Sequence, residues 1–127
     1  MNELTAEWAS KAEDDYHLAG LALSAGEVPV PDGVCFHSQQ CAEKYLKAYL
    51  TDNLVPFPRG HALILLLELC LPFDVNFESL RSDLESLESY AVAVRYPGFT
   101  ADDDMAKAAL TTATRVRAFL RVKLNLA

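Results

Sequence analysis

Four short stretches rich in proline and glycine divide the 127-residue chain into five segments. Proline lacks the backbone N–H that a helix interior requires, and glycine readily adopts left-handed conformations, so these stretches mark helix ends. They are residues 26–33, 55–60, 71–74 and 96–99. None of the segments between them shows the polar–apolar alternation of a half-buried strand. The pattern therefore predicts a chain built from helices.

Apolar residues in the segments recur at the three- and four-residue spacing of amphipathic helices, predicted over residues 4–25, 33–53, 61–70, 77–95 and 101–124. The fourth has an uninterrupted seam for packing against an antiparallel helix: Phe77, Leu80, Leu84, Leu87, Ala91 and Val94. Short connections favour antiparallel neighbours. We therefore predict one all-α domain over residues 1–127, an up-and-down antiparallel bundle of four long helices plus one short helix.

The charge balance limits the function classes. The chain has 11 Lys and Arg against 18 Asp and Glu, a net charge of −7. Broad sequence-independent binding to nucleic acid needs a basic surface, although a local basic patch stays compatible with an acidic whole. The three cysteines, Cys35, Cys41 and Cys70, have no CxxC spacing, which argues against a disulfide framework or a zinc site. We expect buried thiols, no metal and no cofactor.

The sequence carries no signal for membrane insertion or export. Residues 1–10 contain Glu3 and Glu7 and lack the apolar core of a signal peptide. The longest apolar run, residues 62–67, is too short to span a bilayer. We therefore expect a soluble, cytoplasmic protein without a membrane partner.

The second predicted helix carries a row of polar side chains beside its apolar stripe. The row, here called the polar row, has the spacing i, i+3, i+7, i+10 and consists of His37, Gln40, Lys44 and Lys47. An ordinary exposed face is the simpler interpretation. However, a solvated face usually mixes its charges more loosely, and an imidazole, an amide and two ammonium groups in one line also suit a lined surface.

Three polar residues predict structural roles. Asp15 falls within the apolar arc of the first helix, where an unpaired carboxylate costs several kcal/mol. It predicts a partner among the cations of the second helix or, alternatively, a seam wide enough for water. Gln39 lies among apolar positions and needs a hydrogen-bond partner. His61 follows Gly60 near the start of the third helix, either as a cap-like group or as a site residue.

Charges are ordered along the fifth predicted helix. Three aspartates, residues 102–104, crowd its first turn, and Thr100 with Asp103 resembles a capping box. The cations lie toward its end: Arg115, Arg117, Arg121 and Lys123. This order suits the helix dipole and needs no ligand to explain it.

Known catalytic motifs are missing from the sequence. It contains no Gly-rich phosphate loop, no HExxH and no GxSxG. What remains is Asp15, the polar row, and Arg95 with Tyr96 at the end of the fourth helix. Cations, an amide, an imidazole and an aromatic ring suit a phosphate-bearing ligand with a base. The same groups suit a salt-bridged structural network or a polar dimer interface, and the sequence does not separate these interpretations.

The chain resembles the HEPN family (higher eukaryotes and prokaryotes nucleotide-binding domain). The matching segments occur in family order and are residues 12–16, residues 36–48, residues 61–63 and Arg95-Tyr96-Pro97. The match in the second helix is long and specific, whereas the others are short. The resemblance implies an all-α bundle that commonly dimerises and acts in prokaryotic toxin–antitoxin, stress or defence systems. It also implies a minimal nucleotidyltransferase as protein partner.

The chain departs from the family's ribonucleases at one motif. Many HEPN proteins are metal-independent ribonucleases with an arginine followed four to six residues later by histidine. Residues 96–102, which follow Arg95, contain no histidine, and the chain looks like the Arg-Tyr-Pro branch instead. That branch implies nucleotide or partner binding. Our main hypothesis is a homodimer that binds a nucleotide through the polar row, Arg95 and Tyr96. Two alternatives stay open: a ribonuclease using Arg95 and His37 on RNA, and a purely structural dimerisation module.

Overall fold

A computed structural model of the chain describes residues 1–24, 30–60, 62–94 and 96–126. These residues form five α-helices: α1 (Glu3–Leu23), α2 (Pro31–Asp52), α3 (Leu63–Cys70), α4 (Arg81–Ala93) and α5 (Asp103–Lys123). A 3-10 segment, Val75–Leu80, leads directly into α4. The described ranges contain no strand. The predicted all-α helical bundle is therefore confirmed.

The long helices alternate in direction. α1 runs antiparallel to α2, since Asn2 donates to the Thr51 carbonyl at one end and Ala22 lies beside Gly33 at the other. α5 runs antiparallel to α1, through the pairs Tyr16–Thr114 and Glu13–Arg117. The pairs Asp74–Lys123 and Asp83–Arg115 likewise show that the chain from residue 74 into α4 runs antiparallel to α5. The Asp32 carboxylate accepts the N–H of Ala101 at 2.7 Å, which ties the start of α5 to the start of α2.

α2 is the central helix of the bundle. Its buried residues lie on nearly every side and include Leu46, Leu50 and the phenol-bearing Tyr45. The rings of Tyr49, Phe77 and Phe119 pack in series, with centroid separations of 4.5 Å and 5.0 Å. Because neighbours surround α2, the simpler expectation that its polar row forms an ordinary exposed face is wrong: Gln40 and Lys47 are buried.

The capping of α5 and the helix type before α4 differ from the sequence prediction. α5 is capped by Asp102, whose Oδ1 accepts the N–H of Met105 at 2.8 Å, and the predicted capping box at Thr100 is wrong. Residues 77–80, the first four of the predicted fourth helix, belong instead to the 3-10 segment Val75–Leu80, where Asp74 Oδ1 accepts the N–H of Asn76 at 2.9 Å. In both cases the aspartate directly before the first residue of the segment supplies an acceptor for the free N–H groups.

Candidate functional site

Asp15 lies between α1 and α2 and bridges two members of the polar row. Its Oδ1 is 2.8 Å from His37 Nδ1, and its Oδ2 accepts a hydrogen bond from Lys44 Nζ at 2.5 Å. The Asp15 side chain is only 8% exposed, against 27% for His37 and 23% for Lys44. The prediction that Asp15 pairs with a cation of the second helix is confirmed, and a water-filled seam does not fit this burial.

The contact with Asp15 orients the His37 ring. A carboxylate only accepts hydrogen bonds, so Nδ1 of His37 must be the donor. The Nε2 nitrogen is then the free one, an acceptor in the neutral ring and a donor in the protonated ring. The Phe36 ring stands edge-on to the imidazole, with 5.2 Å between centroids. His37 therefore presents one defined nitrogen to its surroundings.

Lys47 is the most enclosed cation of the polar row, with a side chain 9% exposed. Its Nζ donates to Glu43 Oε2 at 3.2 Å and to the carbonyl of Gly60 at 3.3 Å. The same ammonium group lies 5.4 Å from the ring centre of Trp8 and 5.5 Å from that of Phe57, within cation–π range. Lys47 thus holds the connection after α2 against α1 and leaves little surface for a ligand.

Gln40 lies between His37 and Lys44 in the polar row. Its Nε2 donates to Gln39 Oε1 at 3.0 Å, and both side chains are buried. The prediction that Gln39 needs a hydrogen-bond partner is confirmed. All four members of the polar row therefore have hydrogen-bond partners inside the chain.

The structure describes only part of the predicted set of ligand-binding residues. Arg95 and His61 lie outside the described residues, so their predicted roles and the pairing of Arg95 with His37 stay predictions. Tyr96 is exposed on the turn before α5. Because the contact of Ala101 with Asp32 joins the starts of α5 and α2, Tyr96 lies at the same end of the bundle as His37.

A second ionic cluster lies between α1 and α5. Glu13 accepts two hydrogen bonds from Arg117, at 2.7 Å and 2.6 Å, and one from Arg121 at 3.1 Å. Arg121 also donates to the Tyr45 hydroxyl at 3.1 Å, and the Arg117 guanidinium lies 4.6 Å from the Tyr16 ring centre. The hydrogen bond from Arg117 is the main cause that lowers the pKa of Glu13, against an opposing effect of burial.

Sequence reasoning missed this cluster because the helix dipole already explained the cations of α5. The structure pairs those cations with carboxylates of other segments. Arg115 bonds Asp83 on α4 at 2.8 Å, and Lys123 bonds Asp74 at 2.5 Å. The positions of these acids on their own helix surfaces gave no signal, since a charge on a solvated face needs no partner.

The cysteines are free and buried, as predicted. Burial raises the pKa of Cys35 to about 11 and that of Cys70 to about 12, and it also raises the pKa of Cys41. The thiols therefore stay protonated and weakly reactive near neutral pH. No three His, Cys, Asp or Glu side chains converge as metal ligands in the described part of the chain. No helix among those residues is long and apolar enough to cross a membrane.

The sequence of the chain matches one protein family. The sequence model of the HEPN domain matches residues 5–123, which is nearly the whole chain. The protein belongs to the HEPN domain family. A search of curated proteins finds no significant match for this HEPN chain.

Two solved structures resemble the HEPN chain over almost its full length. TT1696 from Thermus thermophilus has a TM-score of 0.76 at 26% identity, covering 97% of this chain and 99% of that one. ST0689, described as an archaeal HEPN homologue, has a TM-score of 0.66 at 23% identity, covering 97% and 98%. The second likeness shows the fold alone.

Proposed function

We propose that this HEPN protein is a binding and assembly module that works with a minimal nucleotidyltransferase in a toxin–antitoxin or stress system. The main support for the proposal is that the charged members of the polar row are paired with other groups of the same chain. Asp15 neutralises Lys44, and Lys47 bonds Glu43 and the Gly60 carbonyl. A phosphate group binds tightly where cations are not already compensated. The isolated chain therefore offers little positive charge along this row, and a ligand there needs a second protein surface.

The edge suited to such a surface lies at the His37 end of the row. His37 and Lys44 keep about a quarter of their side chains exposed, and Tyr96 is exposed at the same end of the bundle. We place a nucleotide between this edge and a second subunit. His37 Nε2 would bond the sugar or base, Tyr96 would stack on the base, and Lys44 with Arg95 would add to the phosphate contacts.

Calorimetric titration with ATP, GTP and their diphosphates tests the nucleotide part. We expect little heat with the isolated chain and measurable binding with the complex purified together with its nucleotidyltransferase. In the complex, the double variant Asp15→Asn/Lys44→Met, which removes the pair without leaving a lone charge, should weaken binding at least about tenfold. Lys107→Met, an exposed lysine on α5, is the matched control and should bind normally.

The outcomes separate the parts of the proposal. No heat in either setting would remove the nucleotide, and a persistent dimer with no heat would leave the purely structural module. If no nucleotidyltransferase purifies with the protein from its native host, the partner assignment fails.

A metal-independent ribonuclease is the second candidate, favoured by the Asp15–His37 contact. A carboxylate that fixes the donor nitrogen leaves His37 Nε2 available for proton transfer, an arrangement that suits general acid–base catalysis. This candidate predicts RNA cleavage in EDTA that disappears in His37→Ala and in Arg95→Ala. Equal cleavage by wild type and both variants would identify a contaminating nuclease.

A further inference from the structure

α1 and α5 separate along part of their length and leave an open groove of ≈ 430 Å³. It is lined by Glu13, Tyr16, His17, Gly20, Leu21 and Leu110. The contacts Glu13–Arg117 and Tyr16–Thr114 join the helices on one side of the groove. Residue numbers rise along α1 as they fall along α5 in these pairs, so Gly20 lies opposite Leu110. The groove therefore opens where a glycine replaces a side chain.

Packing against the described residues does not explain the glycine at position 20. It lies inside α1, and a Cβ atom built there would meet nothing within 4 Å. Internal packing therefore does not require a glycine, although glycine destabilises a helix interior relative to alanine. What Gly20 provides is a bare stretch of helix backbone that another surface can approach closely.

A complementary protrusion stands next to this bare backbone. Leu21, the next residue along α1, lines the groove and is 52% exposed. A large apolar side chain and a gap at adjacent positions make the surface complementary to itself. About a twofold axis near Gly20, Leu21 of each copy would stand over Gly20 of the other, as an isologous interface requires.

The distribution of charge favours contact between two copies at this face rather than at the other faces. The chain carries a net charge of −7, so two copies repel over most of their surface. Among the described residues that line the groove, Glu13 is the one carboxylate, and Arg117 and Arg121 compensate it. The groove is thus a largely neutral, partly apolar face on an acidic protein.

We infer that the α1–α5 groove is the self-association surface of this protein and that a second copy of the chain occupies it. This inference rests on the assembly role proposed above and adds the surface. Dimerisation through the groove would leave the exposed parts of His37 and Lys44, which lie on another face of the bundle, accessible to the nucleotidyltransferase.

Sedimentation velocity on the full chain tests the surface. We expect wild type to sediment as two chains of 14.0 kDa each. Leu21→Glu should raise the dimer dissociation constant at least about 100-fold, because two buried leucines are lost and two carboxylates meet near the axis. Leu4→Glu is the matched control, since Leu4 is on the same helix, is 55% exposed and lies outside the groove, and it should leave the dimer intact.

Gly20→Ala should stabilise the monomer and weaken the dimer, and both effects are measurable. The methyl group meets open space in the single chain, so the melting temperature of the dilute monomer should rise. The same methyl enters the space of the second copy, so the dimer dissociation constant should rise about tenfold. Tighter dimers in this variant would contradict close backbone approach at Gly20.

Other results overturn the inference while sparing the proposed function. A single-chain mass at every concentration would show that no second copy binds, and the nucleotidyltransferase complex would be unaffected. A dimer that survives Leu21→Glu would place self-association on another surface. Loss of the dimer in both Leu21→Glu and Leu4→Glu would indicate a general charge effect.

Discussion

α1 directs two carboxylates, two residues apart, at two different neighbours. Asp15 faces α2 with a side chain 8% exposed, whereas Glu13 faces α5 with a side chain 32% exposed. Each holds two nitrogen-bearing side chains, but the seam around Asp15 is closed and the seam beside Glu13 opens into a groove. One ionic cluster therefore belongs to the interior of the bundle, while the other neutralises a surface that is free to meet another molecule.

The largest effect should follow the loss of Asp15. Asp15→Ala leaves His37 and Lys44 partly buried without their carboxylate, so the free energy of unfolding should fall by about 2–4 kcal/mol. Urea denaturation at pH 7 measures it. Asp15→Asn, which keeps an acceptor for His37, should lose less. A loss below about 1 kcal/mol in Asp15→Ala would mean that the closed seam does not depend on this cluster.

Substitution of Lys47 tests how strongly the connection after α2 is held against α1. Lys47→Ala removes the contacts with Trp8, Phe57 and the Gly60 carbonyl and should cost about 1–3 kcal/mol. The chain has a single tryptophan, so fluorescence under tryptophan-selective excitation reports this site alone. The emission of Trp8 should shift to longer wavelength and become easier to quench with acrylamide. Unchanged emission would show that the connection after α2 is held by other contacts.

Glu13 should matter less and should show a pH dependence. Because its partners are about a quarter exposed, Glu13→Gln should cost about 1 kcal/mol at pH 7. The folded-state pKa of Glu13 lies below its ordinary value of 4.5, so the stabilisation is present above that pH. It is lost as the pH falls through the folded-state pKa. Urea denaturation from pH 7 to pH 3 should show the two proteins converging; a constant difference would contradict the assignment.

The smallest effect belongs to the open side of α1. Gly20→Ala should stabilise the dilute monomer by about 0.5–1 kcal/mol, because the added methyl meets no atom within 4 Å. Gly33→Ala on α2 is the control, since its Cβ would lie 3.3 Å from Val30 and 3.8 Å from Ala22. Equal gains at both positions would indicate that the two seams do not differ in packing.

Local pattern was sufficient for the helices and for one cluster. The proline- and glycine-rich breaks set the helix number, and apolar spacing identified the seam of Phe77, Leu80, Leu84 and Leu87. Asp15 was recognisable because a carboxylate inside an apolar arc needs a partner, and the adjacent helix supplied Lys44.

The rest depended on tertiary packing that no local pattern contains. Helical periodicity places the polar row on one line, but it does not show that α2 has neighbours on that side as well. Arg117 and Glu13 are 104 residues apart, and each has an adequate explanation on its own helix. The enclosure of Lys47 arises from Trp8 and Phe57, which come from two different segments.

The coupling free energy between Asp15 and Lys44 tests whether the polar row directs its charges inward. A double-mutant cycle with Asp15→Ala, Lys44→Ala and the double variant isolates this coupling from urea denaturation at pH 7. The bond of 2.5 Å between the two side chains predicts a favourable coupling of at least about 1 kcal/mol. A coupling of zero would mean that the two charges do not stabilise each other in the folded chain, and it would contradict an inward-directed row.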